Sequence, residues 1–209
     1  MIPRDYRAQE RMSAAGQFPA AIVLGCIDSR APVETVFDEG IGAIFTARIA
    51  GNVINDDVIG SMEFACAVAG AKVVLLLGHT GCGAIKGAID DVEMGSLTGL
   101  LGRIKPAVGA TNFSGDKSSR NAAFVNAVAR TNVVLGLDNI RRRSPILAEL
   151  QRKRTIKIVG GMFDLKTGRV EFVGQTHWAA SGAVPGSVAA DRDGGASPQG
   201  GQHESKARP

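Results

Sequence analysis

Residues 72–78, with the sequence KVVLLLG, restrict the fold more than any other part of the chain. An unbroken apolar run of this length fits a strand that is buried on both faces, as at the centre of a parallel sheet. Two earlier runs, AAIVLG at 20–25 and AIFTARIA at 43–50, also have the length of a strand. Segments with helical spacing separate the runs, so the pattern predicts an α/β fold.

The segments between and after these runs extend the same alternation. We expect a short helix from Pro32 to Gly40, a helix over 57–70, and two or three helices over 97–152. The stretches TIKIVGGMFD and GRVEFVG then read as two strands joined by the turn LKTG. The predicted fold is a mainly parallel β-sheet flanked by helices on both faces.

Length and composition divide the chain into one domain and a tail. Of the 209 residues, 44% are hydrophobic and 21% are charged, as is ordinary for a globular protein. From Ala179 onward the chain consists of glycine, serine, proline and charged residues without periodicity. Such a composition buries too little apolar surface to offset the entropy of ordering. We therefore expect a folded domain at 1–178 and a disordered Gly/Ser/Pro-rich tail at 179–209.

Charge and hydropathy argue against two classes of partner. The net charge of +4 is too small by itself to indicate nucleic-acid binding, and the basic runs at 141–143 and 151–154 are typical of solvated helix faces. No run reaches the ~18 apolar residues of a membrane-spanning helix. The first residues carry charges and no apolar stretch, unlike a secretory signal. We expect a cytoplasmic protein that binds neither nucleic acid nor membrane.

Cysteine and histidine residues follow two of the apolar runs. Cys26 comes directly after AAIVLG, while His79 and Cys82 follow KVVLLLG. If the two strands are parallel, these side chains meet at one edge of the sheet, where α/β folds bind ligands. One histidine and two thiolates form a known ligand set for catalytic zinc. Cys26 or His79 taken alone is better explained by core packing, which is also our interpretation of Cys66 within the helical segment.

A nucleotide-binding loop is the alternative interpretation of VLLLGHTGCGAIKG, which places glycines and Lys86 after a strand. The glycines at 78, 81 and 83 match neither the G-x-G-x-x-G pattern nor the spacing of a P-loop. The metal site is therefore the favoured hypothesis.

Two motifs, CIDSR at 26–30 and HTGCG at 79–83, together resemble the signature of the β-class carbonic anhydrases. The resemblance extends over roughly residues 15–175 and includes FDEGIGAIFTARIAGN and IKIVGGMFDLKTGRVEFV. It implies one Zn²⁺ per chain. The zinc ligands that it implies are Cys26, His79 and Cys82.

The same resemblance implies an activity and a catalytic dyad. The activity is reversible hydration of carbon dioxide to bicarbonate and a proton by a zinc-bound hydroxide. Asp28 would accept a hydrogen bond from that hydroxide, and Arg30 would hold the carboxylate ionised and aimed. A loop salt bridge or a helix cap is the alternative for this pair. Hydrolysis of carbonyl sulfide or carbon disulfide at the same zinc site is the alternative activity.

The family resemblance also implies a substrate pocket and an assembly. Gln17 resembles the glutamine that plant-type members use to hydrogen-bond substrate, and Phe45 and Phe64 match aromatic pocket positions by residue type. Part of that pocket comes from a neighbouring subunit, so we expect a homodimer or a dimer-of-dimers tetramer. Core packing is the alternative role of the two phenylalanines. Val23 stands where a bicarbonate-regulated subset has tryptophan, which favours a constitutively open site.

Overall fold

A single five-stranded sheet organises residues 16–173, the part of the chain that the computed structural model describes. The strand order across the sheet is β2-β1-β3-β4-β5. The strands are β1 (Ala21–Gly25), β2 (Ile44–Arg48), β3 (Val73–His79), β4 (Lys157–Phe163) and β5 (Val170–Val173).

Strand pairing confirms the mainly parallel sheet. β1 is parallel to both neighbours, with Ala21 opposite Ile44 of β2 and Val73 of β3. β3 and β4 are also parallel, whereas β5 returns antiparallel to β4. The last two strands form the hairpin that the sequence predicts, since a short turn can join only antiparallel neighbours.

Seven α-helices connect or cover the described strands. They are α1 (Val33–Val36), α2 (Asp56–Glu63), α3 (Gly83–Ile89), α4 (Gly95–Gly102), α5 (Lys105–Ala110), α6 (Ala122–Arg143) and α7 (Pro145–Arg152). A 3₁₀ turn covers Ala50–Asn52, and a π-helical turn covers Phe64–Val68.

Two helix predictions need correction. The region 97–152 contains parts of four helices rather than two or three. One break falls at Ser144, whose hydroxyl accepts from the Leu147 amide while Pro145 opens α7. Proline has no amide hydrogen to continue α6, so a new helix begins there. The helix expected over 57–70 is also divided, because α2 ends at Glu63 and the chain continues as the π-helical turn.

Alternating side chains of the strands bury both faces of the sheet. Val74 and Leu76 of β3 lie in the larger core beneath α2 to α7, whereas Leu75 and Leu77 lie in a smaller cluster that includes Val33 of α1. This two-sided burial explains the continuous apolar run of β3. The sheet is therefore covered on both faces, as predicted.

Some expectations fall on segments that the structure does not describe. The tail at 179–209 and residues 1–15 lie outside the described residues. Within 16–173, no helix combines the length and apolar character needed to cross a membrane.

Candidate metal centre

The carboxyl ends of β1 and β3 bring three metal-ligating side chains together. Cys26 follows the last residue of β1, His79 ends β3, and Cys82 lies in the turn before α3. Their ligand atoms all lie within 4.8 Å of one another, and each residue is buried. The two sulfurs are 3.9 Å apart, close to the ~3.8 Å between two sulfurs bound at ~2.3 Å to a tetrahedral zinc.

The histidine presents an unused ring nitrogen to this cluster. His79 Nδ1 lies 3.0 Å from the Thr80 carbonyl oxygen, so Nδ1 carries the proton and donates it. Nε2 is buried and has no hydrogen-bond partner among residues 16–173. A buried ring nitrogen without a hydrogen-bond partner costs free energy unless it binds a metal. A histidine that binds a metal through one ring nitrogen typically donates the N–H of the other to a carbonyl or carboxylate. The ring therefore fits a metal ligand.

The charge properties of the two cysteines also fit a metal. The hydrogen bond between the sulfurs lowers the pKa of Cys26, because the Cys82 thiol stabilises a neighbouring thiolate. The same contact, together with burial, raises the pKa of Cys82 far above its ordinary value, because a second buried thiolate would repel the first. A divalent cation between the sulfurs removes that repulsion. The donor set is thus suited to a divalent metal of the zinc type.

The Gly51 amide supports the first of these sulfurs. Gly51 donates its N–H to Cys26 Sγ at 3.3 Å. Its φ of 64° lies in the left-handed region, and a Cβ there would meet Ile104 Cδ1 at 2.6 Å. Only glycine therefore satisfies both the turn and the close packing at this position.

Asp28 and Arg30 form a bidentate pair beside the cluster. Arg30 Nε donates to Asp28 Oδ1 at 2.9 Å and Nη2 donates to Oδ2 at 2.7 Å. The Arg30 backbone amide donates to Oδ1 as well, at 3.0 Å. These contacts hold the pKa of Asp28 well below its usual range. Asp28 Oδ2 lies 3.8 Å from His79 Nε2, so an ionised carboxylate stands at the cluster.

Arg48, at the end of β2, holds the loop that carries Cys26 and Asp28. Its Nε donates to the Cys26 carbonyl at 2.9 Å and its Nη2 donates to the Asp28 carbonyl at 2.6 Å. Arg48 and Gly51 were not among the site residues predicted from the sequence. Both residues belong to the stretch ARIAGN at the end of the second strand, but their contact with the Cys26 loop follows only from the pairing of Arg48 beside Gly25.

The expected substrate-pocket residues gather away from the metal ligands. Phe45 and Phe64 stack edge to face, with ring centroids 6.3 Å apart, along a cavity of about 850 Å³. Gln17 and Phe45 line a second cavity of about 430 Å³. Neither lining includes Cys26 or the other candidate ligands. The structure thus brings the aromatic pair together but does not join it to the metal cluster within one chain.

Comparison with known proteins supplies the family. A sequence model described as carbonic anhydrase matches residues 21–170. Carbonic anhydrase 2 of Mycobacterium tuberculosis is 34% identical over 161 residues, which cover 75% of each chain. The chain belongs to the β-carbonic anhydrase family. It is therefore an enzyme of the carbonate dehydratase class of lyases. The β-carbonic anhydrases are zinc enzymes, and the Cys-His-Cys cluster of this chain is a group that could hold such a metal.

Solved structures of the family share the fold. A tetrameric β-carbonic anhydrase of Sordaria macrospora aligns with a TM-score of 0.70 at 25% identity, over 83% of this chain and 88% of the other. A carbon disulfide hydrolase of Acidithiobacillus thiooxidans is 32% identical over 77 residues, or 34% of this chain and 36% of that protein. The similarity to carbonic anhydrases is thus far more extensive than the similarity to the hydrolase.

Proposed function

We propose that this β-carbonic anhydrase hydrates carbon dioxide reversibly at a single zinc bound by Cys26, His79 and Cys82. The observation that carries the proposal is an ionised carboxylate 3.8 Å from the free nitrogen of a buried Cys-His-Cys cluster. The cluster supplies three ligands, which leaves the fourth tetrahedral position for water or substrate.

Zinc, if held by these ligands, would lower the pKa of a coordinated water to ~7 and so would supply hydroxide near neutral pH. The chain contributes the positions of the groups around that nucleophile. His79 keeps its ring orientation through Thr80, and Cys26 keeps its own through Gly51.

Asp28 and Arg30 act on the nucleophile and not on the ligands. Asp28 would accept a hydrogen bond from that hydroxide and so would orient a lone pair of the hydroxide oxygen toward the carbon of carbon dioxide. Arg30 occupies both oxygens of the carboxylate and so keeps it ionised and away from the metal. Arg48 fixes the loop that carries the carboxylate.

The apolar part of the substrate pocket is completed by a second subunit in this proposal. Phe64 is 49% exposed, and the apolar side chains of Phe18 and Ile41 are also exposed in the described chain. Such a surface is typical of an interface between subunits. Gln17, Phe45 and Phe64 of one chain would then face the metal centre of another, in a homodimer or a dimer-of-dimers tetramer. The three cysteines are unpaired, which suits our assignment to the cytoplasm.

The test is stopped-flow carbon dioxide hydration by protein whose zinc content has been measured. We expect one zinc per chain and catalysed hydration, with hydrolysis of carbonyl sulfide and carbon disulfide slower on the same preparation. Faster turnover of carbon disulfide than of carbon dioxide would assign the site to the hydrolase activity. Zinc-loaded protein inactive on all three substrates would refute the proposal.

A further inference from the structure

Helix α6 supplies none of the three metal-ligand candidates, yet it contacts the loops on both sides of the cluster. Asn126 Oδ1 accepts a hydrogen bond from the Gly81 amide at 2.9 Å. Asn132 Nδ2 donates to the Gly51 carbonyl, also at 2.9 Å. The two asparagines lie on one helix, so its position relates the two loops to each other.

The Asn126 contact acts on the turn that carries two ligands. Gly81 lies between His79 and Cys82, and its φ of 65° makes the turn tight. Thr80 is held by backbone pairing with Phe163 at 2.9 Å. The amide of Gly81 is held by the Asn126 side chain, so this bond determines how the chain leaves β3 toward Cys82.

The Asn132 contact acts on the loop that supports the third ligand. The Asn132 side chain is buried, with 9% exposure of the residue. It holds the carbonyl of Gly51, whose own N–H points at Cys26 Sγ. A shift of Gly51 would move that N–H donor away from the sulfur and weaken the hydrogen bond that orients the Cys26 side chain.

We propose that Asn126 and Asn132 are positioning residues, through which helix α6 sets the geometry of the two halves of the metal centre. Metal retention depends on both side chains. The inference rests on the proposed function only in requiring that the cluster binds zinc, and it extends the site to a helix that holds no ligand.

The two amides have opposite hydrogen-bonding roles, and this makes the inference testable. Gly81 presents an N–H, so the facing atom of Asn126 is an acceptor. Gly51 presents a carbonyl, so the facing atom of Asn132 is a donor. Aspartate keeps the acceptor and loses the donor. The same substitution is therefore expected to be tolerated at 126 and harmful at 132.

The experiment compares Asn126→Asp, Asn126→Leu, Asn132→Asp and Asn132→Leu in the zinc-loaded protein. Asn139→Asp serves as the control, because Asn139 lies on α6 and its Oδ1 contacts Arg142 at 3.4 Å. The readouts are the rate of zinc release to a chromophoric chelator and the thiolate-to-cobalt absorption of the Co²⁺-substituted protein. Thermal unfolding of each variant checks that the fold is retained.

We expect both leucine variants and Asn132→Asp to release zinc about 10- to 100-fold faster, as when outer contacts of metal ligands are removed. Their cobalt bands should shift. Asn126→Asp and the control should stay close to the wild type. If a leucine variant does not fold, the contrast between the two aspartate variants decides the question.

Wild-type release rates and cobalt spectra in every folded variant would overturn the inference while leaving the proposed function intact. Equal damage from aspartate at both positions would overturn it as well, because a charge effect would then explain the result. A wild-type protein that binds neither zinc nor cobalt would instead overturn the proposed function.

Discussion

The metal centre and the aromatic patch differ in how completely one chain builds them. The patch consists of Gln17, Phe45 and Phe64. Cys26, His79 and Cys82 are buried, with ligand atoms within 4.8 Å of one another and loops tied by hydrogen bonds. Phe64 of the patch is instead 49% exposed. From this difference we propose that the metal ligands of one chain suffice to bind the metal, whereas the substrate pocket is completed by assembly with a second chain.

The largest effect is expected from breaking the metal centre itself. In Cys82→Ser a hydroxyl replaces the thiolate, and a neutral serine binds zinc far more weakly than a thiolate. We expect loss of most bound zinc and of all measurable carbon dioxide hydration. Elemental analysis checks this, with Cys66→Ser as the matched control. Cys66 is a buried core residue, as predicted, and lies outside the cluster. Unchanged zinc in the first variant would remove Cys82 from the ligand set.

A smaller effect is expected when the centre keeps its metal and loses the carboxylate. Asp28→Asn should retain one zinc and lose activity by about 100-fold, because the amide no longer pairs as an anion with Arg30. Stopped-flow hydration at matched zinc content measures this loss. Near-normal kinetics in the zinc-loaded variant would contradict the proposed role of the dyad.

A substitution in the aromatic patch is expected to weaken subunit association and to leave the metal centre intact. Phe64→Ala should leave zinc bound but weaken subunit association by about tenfold or more, as for a buried aromatic at an interface. Sedimentation analysis across protein concentrations measures the association. A matched control is Phe172→Ala, since Phe172 is similarly exposed, at 54%, but lies on β5. If both variants associate like the wild type, the patch is not the subunit interface.

The pH dependence of activity is expected to report ionisation at the metal centre and not titration of the Asp28–Arg30 pair. The hydrogen bonds from Arg30 lower the pKa of Asp28 below its ordinary, already acidic value, so the carboxylate stays ionised from pH 6 to 9 and takes up no proton there. Activity should therefore rise about tenfold from pH 6 to 8 with one ionisation, of apparent pKa ~7. Val23 is a buried aliphatic side chain without the indole of the regulated subset, so we expect no bicarbonate-dependent closure. If activity below pH 8 falls more steeply than a single ionisation allows, another titrating group must close the site, and the prediction is wrong.

The smallest effect is expected from the region beyond both sites. We propose that residues 1–178 form the catalytic domain and that 179–209 are dispensable. Truncation after Ala180 should change neither the melting temperature nor the rate of hydration, because the tail has few apolar residues to bury. A lower melting temperature for the truncated protein, measured by calorimetry, would show that the tail docks on the domain.

The strands and the ligand cluster were predictable because their signals are local. A continuous apolar run such as KVVLLLG indicates a strand buried on both faces, whichever strands lie beside it. Because β1 and β3 are parallel neighbours, their carboxyl ends lie at the same edge of the sheet. Cys26, His79 and Cys82 stand within a few residues of those ends. The two signature motifs carry the same information in residue type and spacing.

The helix boundaries were less predictable because they depend on competing local signals. The proline at 145 and the serine before it divide a region that has helical periodicity on both sides. The π-helical turn at Phe64–Val68 replaces the last turn of the predicted helix, and a change of hydrogen bonding within a single turn is too short to be read from the spacing of apolar residues.

By itself, the sequence determined the parallel sheet, the family and the candidate ligands, since each is written in short stretches of residue type and spacing. Tertiary structure alone decided which groups hold those ligands in place. Gly51 lies 25 residues from Cys26, and Asn132 lies 81 residues from Gly51. A hydrogen bond between such distant groups depends on how the helices pack over the sheet, and no local pattern of residues records that packing.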